Sequence, residues 1–386
     1  MAADKIFTRD FILGFFAQFA FSSVFCILIP TLPIYLARKG TTEAGIGVLI
    51  GIFSVFSLLF RPFVGRSLLR IPERQFMMAG ASLYVLSSIA YLLAPPFLPF
   101  LMVRIMHGIG LALFATASFT FIANISPEAH RGQSLGYFYL SINIAFVFGP
   151  YFGMLIINSL NFATLFLVCT GLSICSLFIT FQLGRRQGIP VDLPPHTQSI
   201  LSREALPPAV MAFMANIIWG ALTAFFPLYA LSHGITNPGL FFGTLAIVHI
   251  LGRSLGGKIF DLYSREKVIF PCLIAYVIAM SVLIFSKTLS MFILVAVIWG
   301  IGNAFLYPTL VAFALDRAGS VPGPAMGTFT AVADLGSGMG SVIMGIVLQW
   351  TSYSIMFLCL TLIGVLNLLY FHFFIRKKRG RPYANL

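Results

Sequence analysis

Only 11 of the 386 residues are Asp or Glu, and all charged residues together make up 9% of the chain. Soluble domains carry about 25% charge, so an ordinary solvated surface is excluded. The five cysteines (Cys26, Cys169, Cys175, Cys272, Cys359) all fall inside apolar runs. Their spacing excludes a disulfide framework or a cysteine metal centre, and they read as small core residues. There is no glycine-rich phosphate loop, no HExxH and no nucleophile elbow. The sequence therefore predicts neither an ATP-driven pump nor an intramembrane hydrolase: no enzyme, no cofactor and no metal. What remains is apolar: 59% of residues are hydrophobic and the mean hydropathy is +0.97.

The apolar residues gather into twelve runs, at 11–36, 45–68, 75–94, 98–124, 133–158, 161–183, 207–231, 239–260, 268–286, 290–314, 325–350 and 353–375. Each is long enough to cross a bilayer as a helix, which predicts an all-α membrane protein. The formal net charge of +13 would suggest nucleic acid in a soluble chain. Here its placement excludes that partner. With the N-terminus in the cytoplasm, Arg38, Lys39 and Lys287 lie outside, and Arg61, Arg104 and Arg253 lie within the membrane. Every other Lys and Arg is cytoplasmic. This positive-inside pattern predicts a multi-pass inner-membrane protein with both termini in the cytoplasm. The basic cluster Arg376–Arg381 reads as an anchor on anionic lipid. The first run is too long for a signal peptide and lacks a small-residue cleavage site.

The widest polar gap divides the chain into a six-helix bundle (1–183), a connecting loop (184–206) and a second bundle with a basic tail (207–386). The halves repeat. Pro33-Ile34-Tyr35 returns as Pro227-Leu228-Tyr229, Arg61 and Gly65 as Arg253 and Gly257, Gly108 and Gly110 as Gly300 and Gly302, and Gly136 and Gly149 as Gly327 and Gly340. Duplicated six-helix units build many secondary transporters, with the binding site at the midplane between them.

Helix one carries Gln18, Ser22 and Ser23 and is expected to break at Pro30 and Pro33. The stretch Arg61-Pro62-Phe63-Val64-Gly65-Arg66 leads into a basic turn, with Leu69 where an acid would sit; its second copy keeps the acid, as Gly257, Asp261 and Arg265. Helix four carries Arg104-Ile105-Met106-His107-Gly108, and helix five Gly149-Pro150-Tyr151-Phe152-Gly153. On these stretches, the spans and the repeat, the chain resembles the major facilitator superfamily over essentially its whole length. The helix-five stretch resembles the motif associated with drug–proton antiporters, with Ala145 and Met154 replacing two of its glycines. The resemblance implies a cavity lined by helices one, four, seven and ten. Gln18, His107, Asn143, Asn216, Trp219, His249, Asn303 and Tyr307 are the candidate cavity residues. Gly65, Gly149, Pro150, Gly153, Arg253, Gly257 and Asp261 are the candidates for gating and close packing.

The run Ala325–Trp350 holds a single acid, Asp334, among glycines and serines. A charge near the centre of such a helix costs about 2.5–3.5 kcal/mol on insertion scales, which marks a functional site. The glycines invite a close-packed neighbour. Asp334 lies about nine residues into its run, roughly 14 Å at 1.5 Å per residue, and Arg61 lies at nearly the same depth in helix two. The resemblance makes those helices neighbours, so Arg61 and Asp334 are expected to pair, with Arg253 and Asn143 as the neutral counterpart. Arg104, on the resemblance, serves proton relay or substrate positioning. The expected function is a proton-coupled transporter exporting small organic, amphipathic solutes by alternating access, acting as a monomer with substrate, protons and membrane lipid as its partners. The alternatives are an importer or facilitator of a polar metabolite, and a non-transporting membrane sensor.

Overall fold

The computed structural model describes residues 6–94, 98–127, 130–184, 202–262, 264–318 and 322–376, without the side chains of 253–262, 318, 322–324 and 376. The loop stretch 185–201, the tail from Lys377 and the side chains of Arg253 and Asp261 lie outside this description, as does whatever packs on Gly257. Twelve helices fill the described residues: α1 (Arg9–Arg38), α2 (Glu43–Ser67), α3 (Glu73–Leu93), α4 (Leu98–Ile125), α5 (Arg131–Ser159), α6 (Phe162–Phe181), α7 (Leu206–Ser232), α8 (Gly239–Leu262), α9 (Arg265–Phe285), α10 (Leu289–Ala318), α11 (Pro322–Trp350) and α12 (Tyr353–Tyr370), the last running into a π-helical turn, Phe371–Arg376. Hydrocarbon offers the backbone no partner, so helices that satisfy their own N–H and C=O groups follow from the composition.

The start signals are local. Thr8 caps α1 by accepting from the Phe11 N–H, Asn161 caps α6 through the Thr164 N–H, and Ser352 caps α12 through the Ile355 N–H. The ends of α1 and α7 repeat one motif. Gly40 (φ 78°) and Gly234 (φ 77°) take the left-handed conformation. Thr41 N–H then donates to Leu36 O, and Ile235 N–H to Ala230 O, a Schellman closure that favours glycine.

The chain forms two compact units. One gathers α1, α3–α6 and α2 from Ile52; the other gathers α7–α12 and the start of α2, Thr42–Gly51. Each has the same internal packing. In the first, α1 lies on α4, α5 and α6, and α3 on α4 and α6; in the second, α7 lies on α10, α11 and α12, and α9 on α10 and α12. The duplication extends to atoms. A methyl at Gly110 would stand 3.1 Å from Gly80 O and 2.9 Å from the Tyr84 ring; one at Gly302 would stand 3.0 Å from Cys272 O and 3.2 Å from the Tyr276 ring. Tyr35 packs on Phe162 and Phe166, and Tyr229 on Tyr353 and Phe357.

The helices meet at glycine. Gly336 and Gly340 of α11 lie directly against the backbone carbonyls of Phe213 and Ile217 in α7, and Gly220 of α7 against Ser337 O. In the first unit a methyl at Gly149 would stand 2.7 Å from Cys26, and one at Gly153 2.8 Å from Ile27 O. Contrary to the sequence expectation, α1 does not break at Pro30 and Pro33 but runs on to Arg38, with α5 packed against the turn just before the prolines. At Gly65, expected to pack, an added methyl would meet none of the described residues within 4 Å. Of the cysteines, Cys26, Cys169 and Cys272 are buried, whereas Cys175 is exposed.

Gly340→Ala should lower the thermal midpoint of the purified protein, since overpacking costs about 1–3 kcal/mol. Gly171→Ala, in open space on α6, should leave it unchanged or raise it slightly. Equal midpoints for the two variants would show that the α7–α11 contact is not glycine-limited.

Candidate functional site

Arg104 and His107 lie one turn apart on α4, on one face, and both are buried, at 4% and 1% exposure. The face is turned inward because Gly108 lies against the Phe53 carbonyl of α2, bringing the two helices close. The Arg104 guanidinium then sits 4.5 Å over the Phe53 ring. Its Nη1 donates to the Tyr91 hydroxyl of α3 at 3.4 Å. Tyr91 Oη lies 2.8 Å from His107 Nδ1. The Tyr91 hydroxyl thus bridges Arg104 and His107, donating to Nδ1 or accepting from it according to the histidine tautomer. The Tyr84 ring meets His107 edge-on at 4.1 Å. His107 Nε2 and the Tyr84 hydroxyl have no hydrogen-bond partner among the described residues.

The second unit builds the same place without charge. The counterparts of Arg104, His107, Tyr91 and Phe53 at the repeat offset of 192 are Ala296, Trp299, Leu283 and Leu245. Trp299 is fully buried and meets Tyr276 edge-on, as His107 meets Tyr84. Gly300, the counterpart of Gly108, packs on Val248 and Leu245.

His107 was expected in a substrate cavity; the structure instead seals it among Phe53, Tyr84 and Tyr91. Gln18 likewise departs from that expectation. It is 2% exposed, donating to Ser22 Oγ at 2.8 Å and accepting from Ser118 Oγ at 2.7 Å, so its amide joins α1 to α4. Asn143 on α5 is half-buried. In the second unit Asn216 Nδ2 donates to Ala333 O at 2.8 Å, the peptide carbonyl just before Asp334. Trp219 packs on Trp299 with ring centroids 5.7 Å apart, and Tyr307 on Phe329 at 5.6 Å. Asp334, His249, Asn303 and Arg61 are half-buried, Arg61 in the first unit and Asp334 in the second. Gly149 and Gly153 belong to the α1–α5 contact, and Pro150 is buried inside an unbroken α5.

One end of each unit carries a polar clasp between equivalent positions. Asn124 donates to Glu73 at 2.5 Å, joining α4 to α3. Arg265 grips Asp316 through Nε and through Nη2 to Oδ1 at 3.1 Å, joining α9 to α10. Sequence reasoning singled out Arg265 but missed Asp316, and it missed Tyr91 and Phe53 altogether. The signal that could have found them is the repeat itself, which changes chemistry at Arg104, His107 and Tyr91 while keeping the glycines around them.

A profile of the Major Facilitator Superfamily matches residues 11–323 and 238–385. The chain belongs to the major facilitator superfamily. It is a multi-pass membrane transport protein, not an enzyme. Among its relatives, the staphylopine export protein of Staphylococcus aureus is 25% identical over 95% of this chain and 96% of its own length. The quinolone resistance protein NorA of Staphylococcus aureus is 21% identical over 83% and 84%. The fold is shared with the nucleoside transporter NupG (TM-score 0.77, 13% identity, covering 95% and 98%) and with a POT family transporter solved with a thioalcohol-conjugated peptide (TM-score 0.80, 14% identity, covering 96% of both chains).

Tyr91→Phe and His107→Leu should couple in a double-mutant cycle by about 0.6–1.7 kcal/mol, the range for hydrogen bonds between membrane helices, read from thermal unfolding of the purified variants. Additive losses would show that the Tyr91–His107 bond is absent in the folded protein.

Proposed function

We propose that the protein is a proton-coupled exporter of small organic, amphipathic solutes, working by alternating access as a monomer in the cell membrane with both termini cytoplasmic. The buried Arg104 cluster carries this reading. A permanent charge inside a membrane helix is costly and is kept for a reason. Packing is not that reason, since the second unit makes the same helix contacts with Ala296, Trp299 and Leu283 in place of Arg104, His107 and Tyr91. The names of the two Staphylococcus aureus relatives, one an export protein and one a resistance protein, support the outward direction and the organic substrate.

In this reading Asp334 is the group that takes and releases the proton, with Arg61 as its counter-charge. A neutral carboxyl loses most of its attraction to arginine, so protonation biases the equilibrium between the two access states. Asn216 supports the segment by fixing the carbonyl beside Asp334. Arg104 serves proton relay or substrate positioning, held in place by Tyr91 and Phe53.

Inverted membrane vesicles with an imposed pH gradient test the coupling. Arg104→Ala should reach the membrane at normal levels and lose gradient-driven uptake of the exported solute. Arg104→Lys keeps the charge without the planar fork and should be partly active. Full activity in both variants would remove Arg104 from the mechanism. Asp334→Asn, a mimic of the protonated state, should abolish the dependence of transport on pH while leaving binding measurable. An unchanged pH profile would end Asp334's role as the coupling acid.

A further inference from the structure

We propose that the groove between α9 and α10 is a binding site for one anionic phospholipid of the surrounding leaflet, with an acyl chain in the groove and the phosphate on Lys267. The groove encloses about 310 Å³ between Pro271, Cys272 and Ala275 of α9 and Gly302 and Phe305 of α10, with Lys267 at its mouth. That volume is at the small end of ligand pockets, which run from about 300 to 1,000 Å³. Gly302 creates the recess: it lies against the Cys272 carbonyl and Ala275, so neither helix offers a long side chain there.

The chemistry is amphipathic. Every lining side chain but one is apolar. Lys267, the third residue of α9, is exposed and makes no hydrogen bond or ion pair with any described side chain. Its neighbour Arg265 is taken by Asp316, which leaves Lys267 as the cation open to an outside anion. Apart from the Arg265–Asp316 pair, Arg203, Lys267 and Arg317 stand at one end of this unit with Glu204 and Glu266, around the start of α7, the start of α9 and the end of α10, and this excess of positive charge favours a negative group there. A lysine stem lies readily along apolar surface while its ammonium reaches the headgroup layer. The flanking side chains Phe270, Ile278 and Ile301 are exposed and apolar, so the groove faces hydrocarbon rather than water. That feature selects a lipid over a soluble anion.

The first unit serves as an internal comparison. At the repeat offset, Gln75 replaces Lys267, Phe76 replaces Val268 and Leu83 replaces Ala275. Three of its residues are smaller, Ala79 for Pro271, Gly80 for Cys272 and Leu113 for Phe305; the space at Gly80 is filled by Phe114, whose Cβ would stand 2.8 Å from an added methyl. The cation and the space it borders thus occur together in the second unit, on a helix pair that otherwise packs alike.

Native mass spectrometry of the full-length protein, titrated in micelles with phosphatidylglycerol or phosphatidylcholine of the same chain length, tests the site. One phosphatidylglycerol should be retained in preference to phosphatidylcholine. Lys267→Gln should weaken that retention about fivefold, the worth of one lysine near an anionic headgroup. Ala275→Leu, which installs the first unit's residue, should weaken both lipids by filling the groove. Lys287→Gln, at the far end of α9, should change nothing. If Ala275→Leu does not fold, the exposed Lys267→Gln still decides. Equal retention of the two lipids, an unchanged Lys267→Gln, or displacement by millimolar inorganic phosphate would each overturn the proposal.

Discussion

In hydrocarbon a helix gains nothing by burying leucine against another helix, because lipid is as apolar as leucine. Attraction must come from close approach and dispersion instead. In this chain the approach is made at Gly220, Gly336 and Gly340 between α7 and α11, and at Gly149 and Gly153 between α1 and α5. Much else rests on those contacts. They give each unit one long helix pair on which α4, α6, α10 and α12 are assembled. Glycine costs helix stability in water, roughly 0.5–1 kcal/mol relative to alanine. In a membrane, with the backbone bonded internally, that cost is offset by the contact it permits.

A fold built twice separates what packing requires from what it does not. The contacts of Gly110 and Gly302 match atom for atom, as do the aromatic clusters around Tyr35 and Tyr229. Where such a frame is held constant, a change of chemistry is informative. The frame around α4 takes arginine, histidine and tyrosine; the one around α10 takes alanine, tryptophan and leucine. Coupling in this reading is therefore asymmetric: the first unit holds the fixed charge, and the second holds the acid, Asp334.

Much of the architecture could be read from the sequence because bilayer thickness imposes a length and hydrocarbon imposes a composition, and both survive in a one-dimensional string. The repeat was legible for a related reason, as Gly108, Gly110 and Gly149 mark places where helices approach closely. What depends on direction around a helix was not legible. Gln18 and His107 are polar residues on apolar helices, and nothing local says whether such a residue faces a cavity or an adjacent helix. Ser118 and Tyr91, far away in sequence, decide that for them. Gly65 shows the converse: it repeats as Gly257, yet an added methyl there would meet none of the described residues within 4 Å.

The energetics of Arg104 suggest why such a cluster suits a moving protein. Arg104 is the seventh residue of α4, toward one end of a helix whose centre would hold an arginine at a cost of about 2.5–3.5 kcal/mol on insertion scales. A desolvated cation–π contact, as over Phe53, returns about 2 kcal/mol. A hydrogen bond from a charged group, as to Tyr91, returns about 1.5–3 kcal/mol. Each of these contacts is of the same order as the cost, so the fold tolerates the charge at this position. A contact of that size can be exchanged for a small change in free energy, whereas one worth many kcal/mol would lock the bundle. Tyr91 is the shared partner of the cluster. Its hydroxyl contacts both the arginine and His107, so a displacement of the guanidinium is felt at the histidine one turn away.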